Sequence, residues 1–82
     1  MEITDADISG LTSHLMAAHG VSLRELSRRM GKHHTRVSEK LAGKHPWKFS
    51  EVALIAGAFE VTQAWFLAEL EIRVNGRSVY GE

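Results

Sequence analysis

Eighty-two residues, 44% of them hydrophobic, suffice for one domain with a modest core and are too apolar for general disorder. The absence of cysteine excludes disulfides and thiolate metal sites, no apolar run approaches a membrane span, and the opening MEITDADISG lacks the basic and apolar regions of a signal peptide. Net charge is zero but unevenly placed: between Arg24 and Lys48 eight cations stand against two acids, a local +6 balanced by −6 elsewhere, so a field that attracts polyanions is concentrated in one stretch.

Taken in chain order, Thr4 to Asp7 offer caps and negative charge for a first helix. Along it Ile8, Leu11, Leu15 and His19 recur at spacings of three and four, and Gly20 ends it. Ser22 caps a short second helix, Leu23 to Met30, with Leu26 and Met30 turned inward. Gly31 stands where a helix closes in left-handed backbone. A third short helix is predicted at about 33–42, with Val37 and Leu41 inward. His34, Thr35, Arg36, Ser38, Glu39 and Lys40 lie on faces that need not be buried. Two short helices joined by a tight, glycine-bearing turn read as a helix-turn-helix.

Gly43 and Pro46 stop the third helix. A fourth begins with Ser50 as cap and Phe49 paired with Leu54 as a hydrophobic staple, and buries Val52, Ile55, Ala56 and Phe59. Ala53, Gly57 and Ala58 leave room there for a neighbouring helix. Thr62 caps a fifth helix, Gln63 to about Leu70. In the remainder, 71–82, Ile72 and Val74 alternate with charged residues, and Asn75-Gly76 is a hairpin signal followed by Val79-Tyr80. The expectation is a domain over 1–70 and a short extended or hairpin tail over 71–82, a candidate dimerisation strand, with a frayed terminus as the alternative.

Ser22, Leu26, Ser27, Met30, Gly31, Val37, Ser38 and Gly43, with Ile55-Ala56 and Phe59-Glu60-Val61 further on, carry a resemblance. Over about Ile8 to Leu70 the chain resembles the phage-repressor and Cro-like helix-turn-helix family. Pro46-Trp47 followed by a helix resembles a variant found among actinobacterial and actinophage regulators. The resemblance implies an all-α, five-helix, lambda-repressor-like domain that binds the major groove of double-stranded DNA. One departure is Leu23, where family members often carry a glutamine that reaches a phosphate; Ser22 or Arg24 would then make that contact. The other is a recognition helix that opens on Lys32-His33-His34.

Mapped by position, the resemblance places His34, Thr35 and Arg36 at base edges, where forked donors and hydroxyls can read the groove. Arg36 can hold guanine in bidentate fashion. Thr35 can offer its hydroxyl to a base or its methyl to thymine. His34 either donates to guanine or caps the helix. Glu39 either accepts from cytosine or pairs with Arg36 or Lys40. Phosphate contacts fall to Ser22, Arg24, Lys32, Ser38, Lys40, Lys44 and His45, and supply most of the affinity.

Adjacent His33 and His34 project about 100° apart on a helix, and no metal-ligand spacing is present, so neither a metal nor a cofactor is expected. Nothing in the pattern points to an enzyme. Trp65, Phe66, Leu67, Leu70, Ile72 and Val74 are more apolar surface than one short terminal helix needs to bury. They predict a homodimer that sets two recognition helices about 34 Å apart. The expected function is a sequence-specific transcription regulator of Cro or repressor type in the bacterial cytoplasm, associated with the nucleoid and with no membrane partner. The chain's brevity points towards a Cro-like protein. The alternative is an antitoxin that binds its own promoter and a toxin partner; a third reading is a protein-interaction module without DNA binding.

Overall fold

Thr4 starts the first helix by a reciprocal exchange. In the computed structural model, which describes the backbone of residues 2–81 and the side chains of 2–76, the Asp7 amide donates to Thr4 Oγ1 at 3.3 Å. The Thr4 amide donates to the Asp7 carboxylate at 2.8 Å. Two orphan donors of the helix end are satisfied at once. This helix is α1 (Asp5–His19), followed by α2 (Leu23–Met30), α3 (His34–Leu41), α4 (Phe49–Ala58) and α5 (Gln63–Gly81). The described residues contain five helices and no strand, an all-α fold.

The core is where the apolar positions of the five helices meet. Leu26 of α2, Val37 of α3, Ile55 of α4, and Phe66 and Leu70 of α5 are fully buried there, with Leu11 and Leu15 of α1 beside them. α2 packs on α4 and α3, α1 packs on α5 and α3, and α4 turns into α5 at 105°. No single described helix is long and apolar enough to cross a membrane.

The C-terminal end departs from the expected tail. Residues 71–81 continue α5 as helix, straight through Asn75-Gly76. The apolar period decides it: Phe66, Leu70 and Val74 recur every four residues, and all three are buried. A short isolated hairpin would be marginal in water, whereas the helix keeps Val74 in the core at a cost of about 1 kcal/mol for Gly76. Arg73 reaches α1, its guanidinium lying over the Gly10 backbone. The strand partner expected at Val79-Tyr80 involves side chains outside the described residues.

Helix α4 also begins differently. Its N-cap position is Lys48, whose amide donates to Glu51 Oε1 at 2.8 Å, so the cap lies two residues before the expected Ser50. Phe49 then occupies the first helical position and is 74% exposed, with Leu54 also exposed, which removes the expected staple. Gly57 faces open space, so no neighbouring helix takes the room it leaves.

Three helix ends close on glycine in left-handed backbone, but α4 closes on Glu60 with φ +57°, where the Val61 amide donates to the Ala56 carbonyl at 3.0 Å. A non-glycine residue there costs about 1–2 kcal/mol, and a carboxylate at a helix C-terminus adds an unfavourable dipole interaction. Glu60→Gly is therefore expected to raise stability by about 0.5–1 kcal/mol after the entropic cost of glycine. Thermal denaturation checks this as a rise of a few degrees; an unchanged or lowered midpoint would mean that the Glu60 side chain is itself stabilising.

One polar cluster fixes the connection from α3 to α4. The Trp47 amide donates to Asp5 Oδ1 at 2.8 Å and its indole Nε1 to Ser9 Oγ at 2.9 Å, while the Ser9 hydroxyl donates to the Lys40 carbonyl at 3.2 Å. The Lys40 ammonium lies 5.9 Å from the Trp47 ring centroid and binds both carboxylate oxygens of Glu51. Helices α1, α3 and α4 are thereby tied together around one buried indole, which holds α3 at a set inclination to the rest.

Candidate nucleic-acid interface

Ser22 Oγ accepts the Glu25 amide at 3.1 Å and opens α2 as expected. Gly31, at φ +69°, reverses the chain while the Lys32 amide returns to the Ser27 carbonyl at 3.0 Å. That left-handed residue makes the turn tight enough to bring α3 across α2. His33 is the N-cap of α3: its Nδ1 accepts the Thr35 amide at 3.2 Å, and its ring stacks on His34 with centroids 4.5 Å apart.

The inward side of α3 is set by Val37 and Lys40, with Leu41 half-buried. The outward side presents His34, Thr35, Arg36 and Ser38, all exposed, as the sequence places them; Glu39 is half-buried. Its carboxylate lies 3.9 Å from His45 Nε2, so of the two alternatives for Glu39 the pairing with Arg36 or Lys40 gives way to a neighbour from beyond the helix end. Lys44, His45 and Lys48 are exposed along the loop that follows.

Lys40 requires correction as a phosphate contact. Its side chain is buried and committed to Glu51, because the position falls three residues after Val37 on the inner face. Burial pushes the Glu51 carboxyl up, but hydrogen bonds from the Lys40 ammonium and the Lys48 amide, with the charges of Lys40 and Lys32, hold it below the usual carboxylate value. Arg29 is also structural: it donates to Glu25 at 2.8 Å and to the Ala58 carbonyl at 3.0 Å, fastening α2 to the end of α4.

The remaining cations of the stretch, Arg24, Arg28, Lys32, Arg36, Lys44 and Lys48, all face solvent. Of its acids, Glu25 is held by Arg28 and Arg29, whose hydrogen bonds lower its pKa to about 2, and Glu39 is half-buried. Arg28 and His33 were not among the residues the sequence singled out as contacts. With Arg24, Ser27, Lys32 and His34 they line a cleft of about 280 Å³ between α2 and the start of α3. Part of the signal is local, since Arg24 and Arg28 stand four apart on one face of α2; Lys32 and His33 are brought beside them by the turn at Gly31. Among the described residues no group of three His, Cys, Asp or Glu is placed to hold a metal ion.

The expected dimer surface divides in two. Phe66, Leu70 and Val74 are core residues, because α5 continues past Leu70 and turns that stripe towards α1. Trp65 and Ile72, on the other side of α5, remain 40% and 61% exposed. A comparison of the chain with protein-family models, with curated proteins and with solved structures finds no match.

Proposed function

We propose that the protein is a sequence-specific DNA-binding regulator of the Cro or repressor kind, with α3 lying in the major groove of operator DNA. One observation carries the reading. The outward face of α3 offers hydroxyl, guanidinium and imidazole donors, and the solvent-facing charges around it are cations. A surface of that kind matches base-edge acceptors flanked by phosphates. His34, Thr35 and Arg36 would meet base edges, and Glu39 at the half-buried margin would accept from cytosine. Ser22, Arg24, Lys32, Ser38, Lys44 and His45 would meet the backbone on either side.

Trp65 and Ile72 are seven residues apart on α5, two helical turns and so one face, and they support a second copy docking there. The interface would be smaller than the sequence implied, since three of its expected members are core. The same exposed pair supports the antitoxin reading, in which a toxin takes the place of the second copy.

Binding to duplex DNA across a series of salt concentrations tests the reading. Each protomer should show a log–log slope of about −4 if some four to five phosphates are neutralised. A flat salt dependence would contradict it. Sedimentation at micromolar concentration tests the dimer: Trp65→Ala with Ile72→Ala should give a folded monomer from a wild-type dimer. A wild-type monomer, with and without DNA, would overturn the dimer.

A further inference from the structure

The cleft between α2 and α3 is lined by three long cations, Ser27 and the two histidines, and no carboxylate lines it. Glu25, on the same helix, is bound by Arg28 and Arg29, and Glu51, the carboxylate that feels the charge of Lys32, is committed to Lys40. Arg24 and Arg28 lie one turn apart on α2, about 6 Å along its axis, and Lys32 joins them from the turn that follows Gly31. Arg28 meets Glu25 through Nε and one terminal nitrogen, which leaves its other terminal nitrogen for a ligand.

His33 completes the lining in a defined state. Its Nδ1 accepts the Thr35 amide, so that nitrogen carries no proton, and the neutral ring must hold its hydrogen on Nε2. The cap bond therefore selects the tautomer, and stacking on His34 limits the ring's rotation.

We propose that this cleft binds a phosphate group, with Arg24, Arg28 and Lys32 supplying charge and His33 donating from Nε2–H in the tautomer its cap bond imposes. His33 thus serves two partners at once, closing the recognition helix with one nitrogen and holding an anion with the other. That the phosphate belongs to a duplex backbone rests on the DNA-binding reading above; the cleft's affinity for a phosphate does not.

The test is a titration of the full chain with inorganic phosphate at fixed ionic strength, followed by amide and histidine ¹⁵N resonances, against chloride as control. The expected result is a saturable shift confined to Ser27, Lys32, His33, His34 and Thr35, with His33 keeping an unprotonated Nδ1 and a protonated Nε2. His33→Asn keeps a side-chain oxygen for the cap and replaces the Nε2–H by an amide N–H on a shorter side chain that reaches less far into the cleft, and should weaken phosphate about five- to tenfold with helix content unchanged. Arg28→Ala should weaken it by a similar factor. Shifts that fail to saturate or spread equally to Lys44 and Lys48, or an undiminished affinity in His33→Asn, would overturn the proposal.

A second arm uses duplex DNA. Duplex binding that shifts the same resonances identifies the ligand as a backbone phosphate. Phosphate binding with no duplex binding leaves the cleft standing as a site for a free phosphate and removes the DNA reading. Duplex binding with no response of the cleft to either titrant removes the cleft and leaves that reading intact.

Discussion

Glu51→Ala is expected to lower the stability of the domain by about 3–5 kcal/mol, with Lys40→Ala close to it. Each removes one half of a buried ion pair and leaves the other charge without its counterpart among Trp47, Ser9 and the α4 N-terminus. For a domain of this size that is a large share of the total. Replacing both, Lys40→Met with Glu51→Leu, is expected to recover most of the loss, because the desolvation cost of the two ions disappears together. Urea denaturation of the four proteins measures it, and single and double variants of equal stability would contradict the pairing.

The same pair sets part of the acid response. The Glu51 carboxyl is held below its ordinary 4.5 in the folded chain. Its contribution is therefore full above about pH 4.5 and is lost as the pH falls through the lower folded value. Wild type should lose stability more steeply below pH 4.5 than Glu51→Gln, which starts lower and falls less. Glu25 adds to the wild-type slope down to about pH 2 and is unaffected by that substitution.

Arg36→Ala is expected to reduce the preference for operator over unrelated duplex by about 5- to 150-fold, the worth of one bidentate base contact at about 1–3 kcal/mol. Arg36 is exposed on the outward face of α3, and Lys44 is exposed beyond its end. Lys44→Ala should instead weaken binding to every sequence alike and shallow the salt slope by about one unit. Anisotropy titrations with both duplexes separate the two. Equal losses of preference in both variants would mean that α3 does not read bases.

Local chemistry was the most legible part of the chain. Thr4, Ser22 and Thr62 cap the helices they were expected to cap, and Gly31 turns α2 into α3. These signals depend on neighbouring residues alone. What escaped depends on distant ones. Lys40 reads as a solvated cation until Glu51, eleven residues on, is seen to lie beside it. Leu70 and Val74 belong both to an alternating and to a four-residue pattern, and only the presence of α1 against α5 selects the helix. Phe49 and Leu54 have the spacing of a staple, but the helix begins with Phe49, since Glu51 reaches back to Lys48 and moves the start by two positions. On the candidate interface the exposed face of α3 followed from the position of Val37. The cleft did not, because Arg28 and His33 are drawn together by the geometry of the turn.

On the proposed function, the outward face of α3 recognises a specific duplex. Fluorescence anisotropy of the duplex upstream of the protein's own gene, against a scrambled duplex of equal composition at two salt concentrations, tests it most directly. The expected result is preferential binding to the upstream duplex that weakens steeply with salt and loses its preference in Arg36→Ala. Equal, weak binding to both duplexes would contradict it.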